Sequence, residues 1–297
     1  MQSLGIIFEQ TLIYLPLVLG AYCSISLVKV PDLSIEAAYV FGAILGSKTL
    51  AFTHHLPGWL CMFAVICASL IGGLCVGLVS AILTKVARLP HLLSAILTVG
   101  LFHGINQFVL GTANFSLSSF SNPLIVSSVK SINPELFMLA FIGFLLMLVM
   151  FFFLKTQLGL ALAVYGNNPR FFDHYHVSGT FVFFVGLGLG NALAGLSGYF
   201  FAQTSSFTDV GSGFGIILFC VTALILGRTF VPTKKPIFLA IPLVGVFSYC
   251  TLQQVLLKVG FNLKYFTMIQ SLIVLCILIN KYRTTSTTEQ TTDNLGV

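Results

Sequence analysis

An all-α fold, a polytopic transmembrane helical bundle, is what this sequence predicts, and three observations predict it. Of 297 residues, 57% are apolar and only 7% charged, against about 25% charged in an ordinary soluble domain. The apolar residues gather in runs that approach or exceed the roughly 20 helical residues needed to cross a bilayer. Lys and Arg fall singly or in pairs at the edges of those runs, where membrane-interface cations belong. The formal charge of +6 therefore speaks for membrane edges and lipid, not for nucleic acid.

About eight to nine spans are expected, one of them broken or re-entrant. The runs lie near 11–28, 33–52, 59–84, 91–111, 136–154, 178–203, 214–230, 236–257 and 265–281. Ahead of the first run stands Glu9 with no basic residue, so it reads as a retained span and not a cleaved signal peptide. The second, "VPDLSIEAAYVFGAILGSK", opens on Pro31, Asp32 and Glu36, and its uninterrupted apolar part covers only 37–46. That suits a broken or re-entrant helix enclosed by other helices, because irregular backbone at membrane depth needs protein or a water-filled cavity around it. Asp32 and Glu36 share one face of a helix. They either cap its positive end or, in Glu36's case, also line a translocation path. Gly42 and Gly46 lack phosphate-loop spacing and read as a close-packing pair.

The third run carries Gly72-Gly73 at its middle, a place for a bend. In the fourth, His103, Asn106 and Gln107 recur at i, i+3, i+4. Intramembrane polar groups usually face a bundle interior or a cavity, so this cluster lines a pathway or makes structural hydrogen bonds. A Ser/Asn/Pro-rich loop, 112–134, precedes the fifth run, and a long loop, 155–177, follows it. The sixth run, "GLGLGNALAGLSG", sets Gly186, Gly190, Ala194 and Gly198 at four-residue spacing, a small-residue stripe for close helix approach. Asn191 beside it is either pathway-lining or an interhelical hydrogen-bonding group. Residues 1–283 read as a single transmembrane domain, and the polar, low-complexity stretch 284–297 as a disordered tail.

If all nine runs cross and the C-terminus is cytoplasmic, ten basic residues fall inside (Lys29, Lys85, Arg88, Lys155, Arg170, Arg228, Lys234, Lys235, Lys281, Arg283) and four outside (Lys48, Lys130, Lys258, Lys264). That is a positive-inside bias, with the N-terminus outside. The seven cysteines all lie within apolar runs, against a disulfide framework. His54-His55 and the pair His174 and His176 beside Asp173 lack further ligands at metal spacing, so no metal site is expected. No catalytic motif occurs either.

Two segments resemble a known family. "GLALAVYGNNPRFF" followed by "NALAGLSGYFFAQTSSFTDVGSGFGIILFCVTALILGRTF" is similar to ATP-binding-cassette importer permeases of the branched-chain amino acid/ribose type, nearest the tryptophan/tyrosine-type branch. Asp32, Leu33, Ser34, Glu36, Gly42 and Ala43 in "DLSIEAAYVFGA" match that branch in type. Ala163 stands where the family usually has arginine, and Ala37 where it has glycine. The resemblance implies a permease of a bacterial cytoplasmic (inner) membrane that binds no cofactor, ATP being used by partner ATPase subunits. It implies a second permease subunit and an external substrate-binding protein. It also implies that the 155–177 loop, with Gly159, Gly166, Asn168, Pro169 and Arg170, contacts the ATPase. Pro169 is expected to start a helix at its first position, and Gly166 to serve a turn with positive φ. The substrate path would include Asp32, Glu36, His103, Asn106, Gln107 and Asn191, with an amino-acid-like solute. An ion-coupled secondary transporter is the alternative, but no inverted repeat is evident; a membrane enzyme or scaffold is the third.

Overall fold

A computed structural model describes residues 2–112, 114–120, 134–174, 178–231, 239–260, 267–272 and 274–275. Its helices are α1 (Gln2–Ala21), running on into a π-helical turn at Tyr22–Leu27, α2 (Ser34–Thr53), α3 (Gly58–Lys85), α4 (His91–Leu110), α5 (Pro134–Lys155), α6 (Gln157–Asn167), α7 (Phe171–His174), α8 (Gly179–Ser205), α9 (Ile216–Phe230) and α10 (Ala240–Lys258). Two short strands, β1 (Asn114–Ser116) and β2 (Phe207–Asp209), pair antiparallel with Phe115 opposite Thr208. Eight segments among the described residues are long and apolar enough to cross a membrane. Helix is the economical answer for such runs, since in lipid every backbone donor and acceptor must be satisfied within its own segment.

Local chemistry sets the ends. Pro57 and Pro90 stand immediately before α3 and α4, where a missing N–H is harmless. Gly111, at φ +73°, closes α4 by donating its N–H to Gln107 O at 3.0 Å. Ser178 Oγ accepts the Phe181 N–H at 3.2 Å at the start of α8, and Thr156 Oγ1 does the same for Gly159 at 3.3 Å in α6.

At the centre is α8, touching α1, α2 and α3. Ser197 Oγ donates to Ile13 O at 2.7 Å, and Gly190 lies against Gly20, so α1 runs antiparallel to α8. Gly42 meets Gly195 and Gly46 meets Tyr199, so α2 runs parallel to it. At both crossings a Cβ would strike backbone or a ring, which is why the small residues are there. The expected stripe is entirely buried: Gly186 faces Val28, Gly190 faces Gly20, and Gly198 faces the Tyr39 carbonyl, with Ala194 fully buried.

Several expectations need correction. The second run is not broken or re-entrant: α2 is an unbroken helix of 20 residues, about 30 Å at 1.5 Å per residue. Its Thr53 lies at the same end as the α1 N-terminus. The irregular backbone falls before it, at 28–33, where Lys29 takes φ +58°. Nor does α3 break at Gly72-Gly73; those glycines admit the α2 and α8 backbones instead. The first run starts well before residue 11, with the α1 helix already formed at Gln2. Pro169 does not open a helix, since α7 starts at Phe171. Gly166 is helical within α6, so its glycine answers a close approach to Leu27 and Val28 and not a positive φ. The ninth run is described only at 267–272 and 274–275, and the tail 284–297 lies outside the described residues.

Candidate solute path and coupling helix

Asp32 and Glu36 do different things. Asp32, 1% exposed, turns back on its own helix: its Oδ1 accepts from Ser34 N at 3.0 Å and from Ser34 Oγ at 2.5 Å. Its Oδ2 accepts from Asn191 Nδ2 at 2.7 Å. Ser34 Oγ also reaches Asn191 Oδ1 at 3.2 Å, and Asn191 Nδ2 contacts Leu187 O at 2.9 Å. Burial pushes the Asp32 carboxyl above its ordinary range, and the hydrogen bonds from Ser34 and Asn191 oppose that. The result is a closed polar knot clamping the start of α2 to the middle of α8. Ser34, matched to the family's pattern in the sequence, was given no site role there; its signal was the Asp-x-Ser spacing that permits a local turn bond.

Glu36 reaches across to another helix. Its Oε1 accepts the Ile217 N–H at 3.4 Å, at the first turn of α9, where a carboxylate meets the positive end of the helix dipole. The same side chain lines a cavity of 190 Å³ bounded by α2, α4 and the turn 210–214. His103 and Asn106 line it as well, with Val40, Val99 and Phe214. Asn106 is 2% exposed, and its Oδ1 has no hydrogen-bond partner among the described residues. Gln107 is exposed and bonds His103 Nε2 at 3.2 Å. Three of the six expected path residues (Glu36, His103, Asn106) thus converge on one cavity, Asp32 and Asn191 sit in the knot, and Gln107 stands outside both. The turn 210–214 was not singled out as a wall, although its Gly-rich "DVGSGFG" was legible as a break after α8. A second cavity, of 210 Å³, opens beyond Phe214 and is lined by Tyr14, Phe219, Tyr249 and Gln270.

The loop 155–177 contains two helices. In α6, Gly159 presses on the end of α5, and Gly166 presses on the π-helical turn. Lys29 Nζ donates to Asn167 Oδ1 at 2.6 Å. Lys85 Nζ stands 5.4 Å over the Tyr165 ring and 4.8 Å over that of Phe183, which puts α6 at the end of the bundle where α3 finishes and α8 begins. Asn168, Pro169 and Arg170 are exposed there, beside exposed Leu160, Val164 and Phe171. Ala163, in the place of the family's arginine, is 7% exposed and packs in the core. Among the described residues no cluster of His, Cys, Asp and Glu forms a metal site.

Comparison with known proteins gives this geometry a family. Residues 3–278 match the family described as "Branched-chain amino acid transport system / permease component". An uncharacterized protein of Rickettsia prowazekii is 27% identical over 86% of this chain and 89% of its own length. The tyrosine transport system permease protein of Clostridioides difficile is 30% identical over 75% of this chain and 72% of its own. The autoinducer 2 import system permease protein of Escherichia coli is 25% identical over 76% and 64%. No solved structure matches the chain significantly. With eight helices among the described residues long and apolar enough to cross a membrane, the chain belongs to this permease family of ATP-binding-cassette transporters, and it is a multi-pass membrane transport component, not an enzyme.

Proposed function

We propose that the chain forms the translocation path for a small amino-acid-like solute across a bacterial cytoplasmic membrane. It pairs with a second permease subunit, receives solute from an external binding protein, and is driven by separate ATPase subunits. The chain binds no cofactor of its own, and ATP is consumed by those ATPases. The observation that carries this reading is the cavity of 190 Å³ between α2, α4 and the turn 210–214, with Glu36, His103 and Asn106 in its wall. Polar and ionisable groups at membrane depth mark solute pathways. The name of the relative at 30% identity, a tyrosine transport permease, favours an amino-acid-like solute over a sugar. The exposed apolar face of α6, held to the bundle at Gly166, suits a helix gripped in a groove of the ATPase.

The test is uptake by proteoliposomes holding this chain with a partner ATPase and a partner binding protein. ATP-dependent accumulation of labelled tyrosine or another amino acid, with ribose left outside, is expected. Uptake that follows a proton gradient without ATP would make the chain a secondary transporter.

A further inference from the structure

We propose that the cavity between α2, α4 and the turn 210–214 is a subsite for a primary ammonium group, with Glu36 and Asn106 Oδ1 as its acceptors. The inference rests on reading this cavity as part of the solute path, and three observations carry it.

The first is the orphaned acceptor. Asn106 is 2% exposed and lines the cavity, yet its Oδ1 has no partner among the described residues. A buried acceptor left without a donor is destabilising, so a built site for a donor explains it where simple packing does not. The second is the spare capacity of Glu36. An ionised carboxylate has about four lone-pair positions, and the backbone bonds from Ile217 and Gly215 leave the remainder for the cavity. The third is charge. Glu36 is the acidic residue in the cavity wall, and no Lys or Arg among the described residues lines the cavity beside it.

A primary ammonium meets all three conditions. It carries three N–H donors and one positive charge, and bonds between ionised partners are roughly twice as strong as neutral ones. A sugar hydroxyl supplies a donor without the charge, and a quaternary ammonium supplies the charge without a donor. His103, exposed on the same wall and bonded to Gln107, faces the subsite from its outer side.

The experiment uses the full chain in lipid nanodiscs and follows its thermal unfolding midpoint during titration with methylammonium, tetramethylammonium or sodium chloride at matched ionic strength. A saturable stabilisation by methylammonium alone is expected. Glu36→Gln should weaken it at least about tenfold, as should Asn106→Leu, whereas Asn106→Asp, which keeps the acceptor and adds charge, should tighten it. The Asp variant keeps the test decisive if the Leu variant fails to fold. An equal response to tetramethylammonium or sodium would reduce the effect to screening and overturn the subsite, and so would binding left unchanged in each of the single variants Asn106→Asp and Glu36→Gln. If amino acids are imported with ATP while methylammonium does not bind, the subsite is wrong and the permease reading stands. If methylammonium binds as described and no amino acid is imported, the subsite stands and the solute class must be another amine.

Discussion

Asp32 and Glu36 lie four residues apart on one helix, but the chain puts them to opposite uses. Asp32 spends both oxygens inside the bundle, on Ser34 and Asn191. Glu36 accepts from the Ile217 and Gly215 backbone at the start of α9 and stands at a cavity wall. Spacing alone could not separate them, because it places both on the same helical face, and what divides them is the neighbour each meets from a distant part of the chain. Removing the Asn191 amide should therefore damage stability and not merely transport. In Asn191→Ala, Asp32 Oδ2 loses its donor while remaining buried, at a cost of about 1–3 kcal/mol. A lower unfolding midpoint in nanodiscs is expected, by about 2–4 °C per kcal/mol for a chain of this size class. An unchanged midpoint would mean that the knot does not hold α2 to α8.

At the level of elements, the pattern of small residues was legible and its partners were not. The four-residue spacing of Gly186, Gly190, Ala194 and Gly198 marked a close-packing face of α8, but only the fold shows that three helices share it. Gly20 of α1, Tyr39 of α2 and Leu162 of α6 meet it, while Gly73 of α3 meets Asn191 and Ala192 on the neighbouring face. The loop 155–177 was likewise legible as too long for a plain connection, which usually takes about 2–8 residues. The reason for its glycine was misjudged, because close backbone approach and positive φ leave the same mark in a sequence. At Gly166 a Cβ would run into the Leu27 carbonyl. In Gly166→Val the overpacking, worth about 1–3 kcal/mol, should lift α6 away from the π-helical turn while the spanning helices keep their own contacts. Membrane levels should stay normal, the ATPase should co-purify weakly, and uptake should fall at least about tenfold. Full co-purification with persistent uptake would show that α6 is not the coupling element.

For the molecule as a whole, helix directions decide the orientation question that hydropathy left open. Hydropathy placed the runs, but the weak second one allowed two topologies, differing in which side the N-terminus occupies. Contacts along α8 remove that freedom: α1 and α3 are antiparallel to it and α2 is parallel, so each of the first three runs crosses. The basic residues then sort by end. Lys29 and Lys85 meet α6 through Asn167 and Tyr165, whereas Lys48 donates to Leu110 O at 3.2 Å and stands over Phe115, near β1. On the positive-inside bias, the α6 end is expected in the cytoplasm. Two exposed positions test this directly: Ser118, beside β1, and Ala87, in the connection between α3 and α4. In a cysteine-free background, Ser118→Cys should react with a membrane-impermeant maleimide in intact cells, and Ala87→Cys only after the membrane is opened. Neither site is buried, so protection of Ala87→Cys would report sidedness and not packing. Labelling of Ala87→Cys in intact cells with Ser118→Cys silent would invert the molecule. It would put α6 on the outer face, beyond reach of any cytoplasmic ATPase.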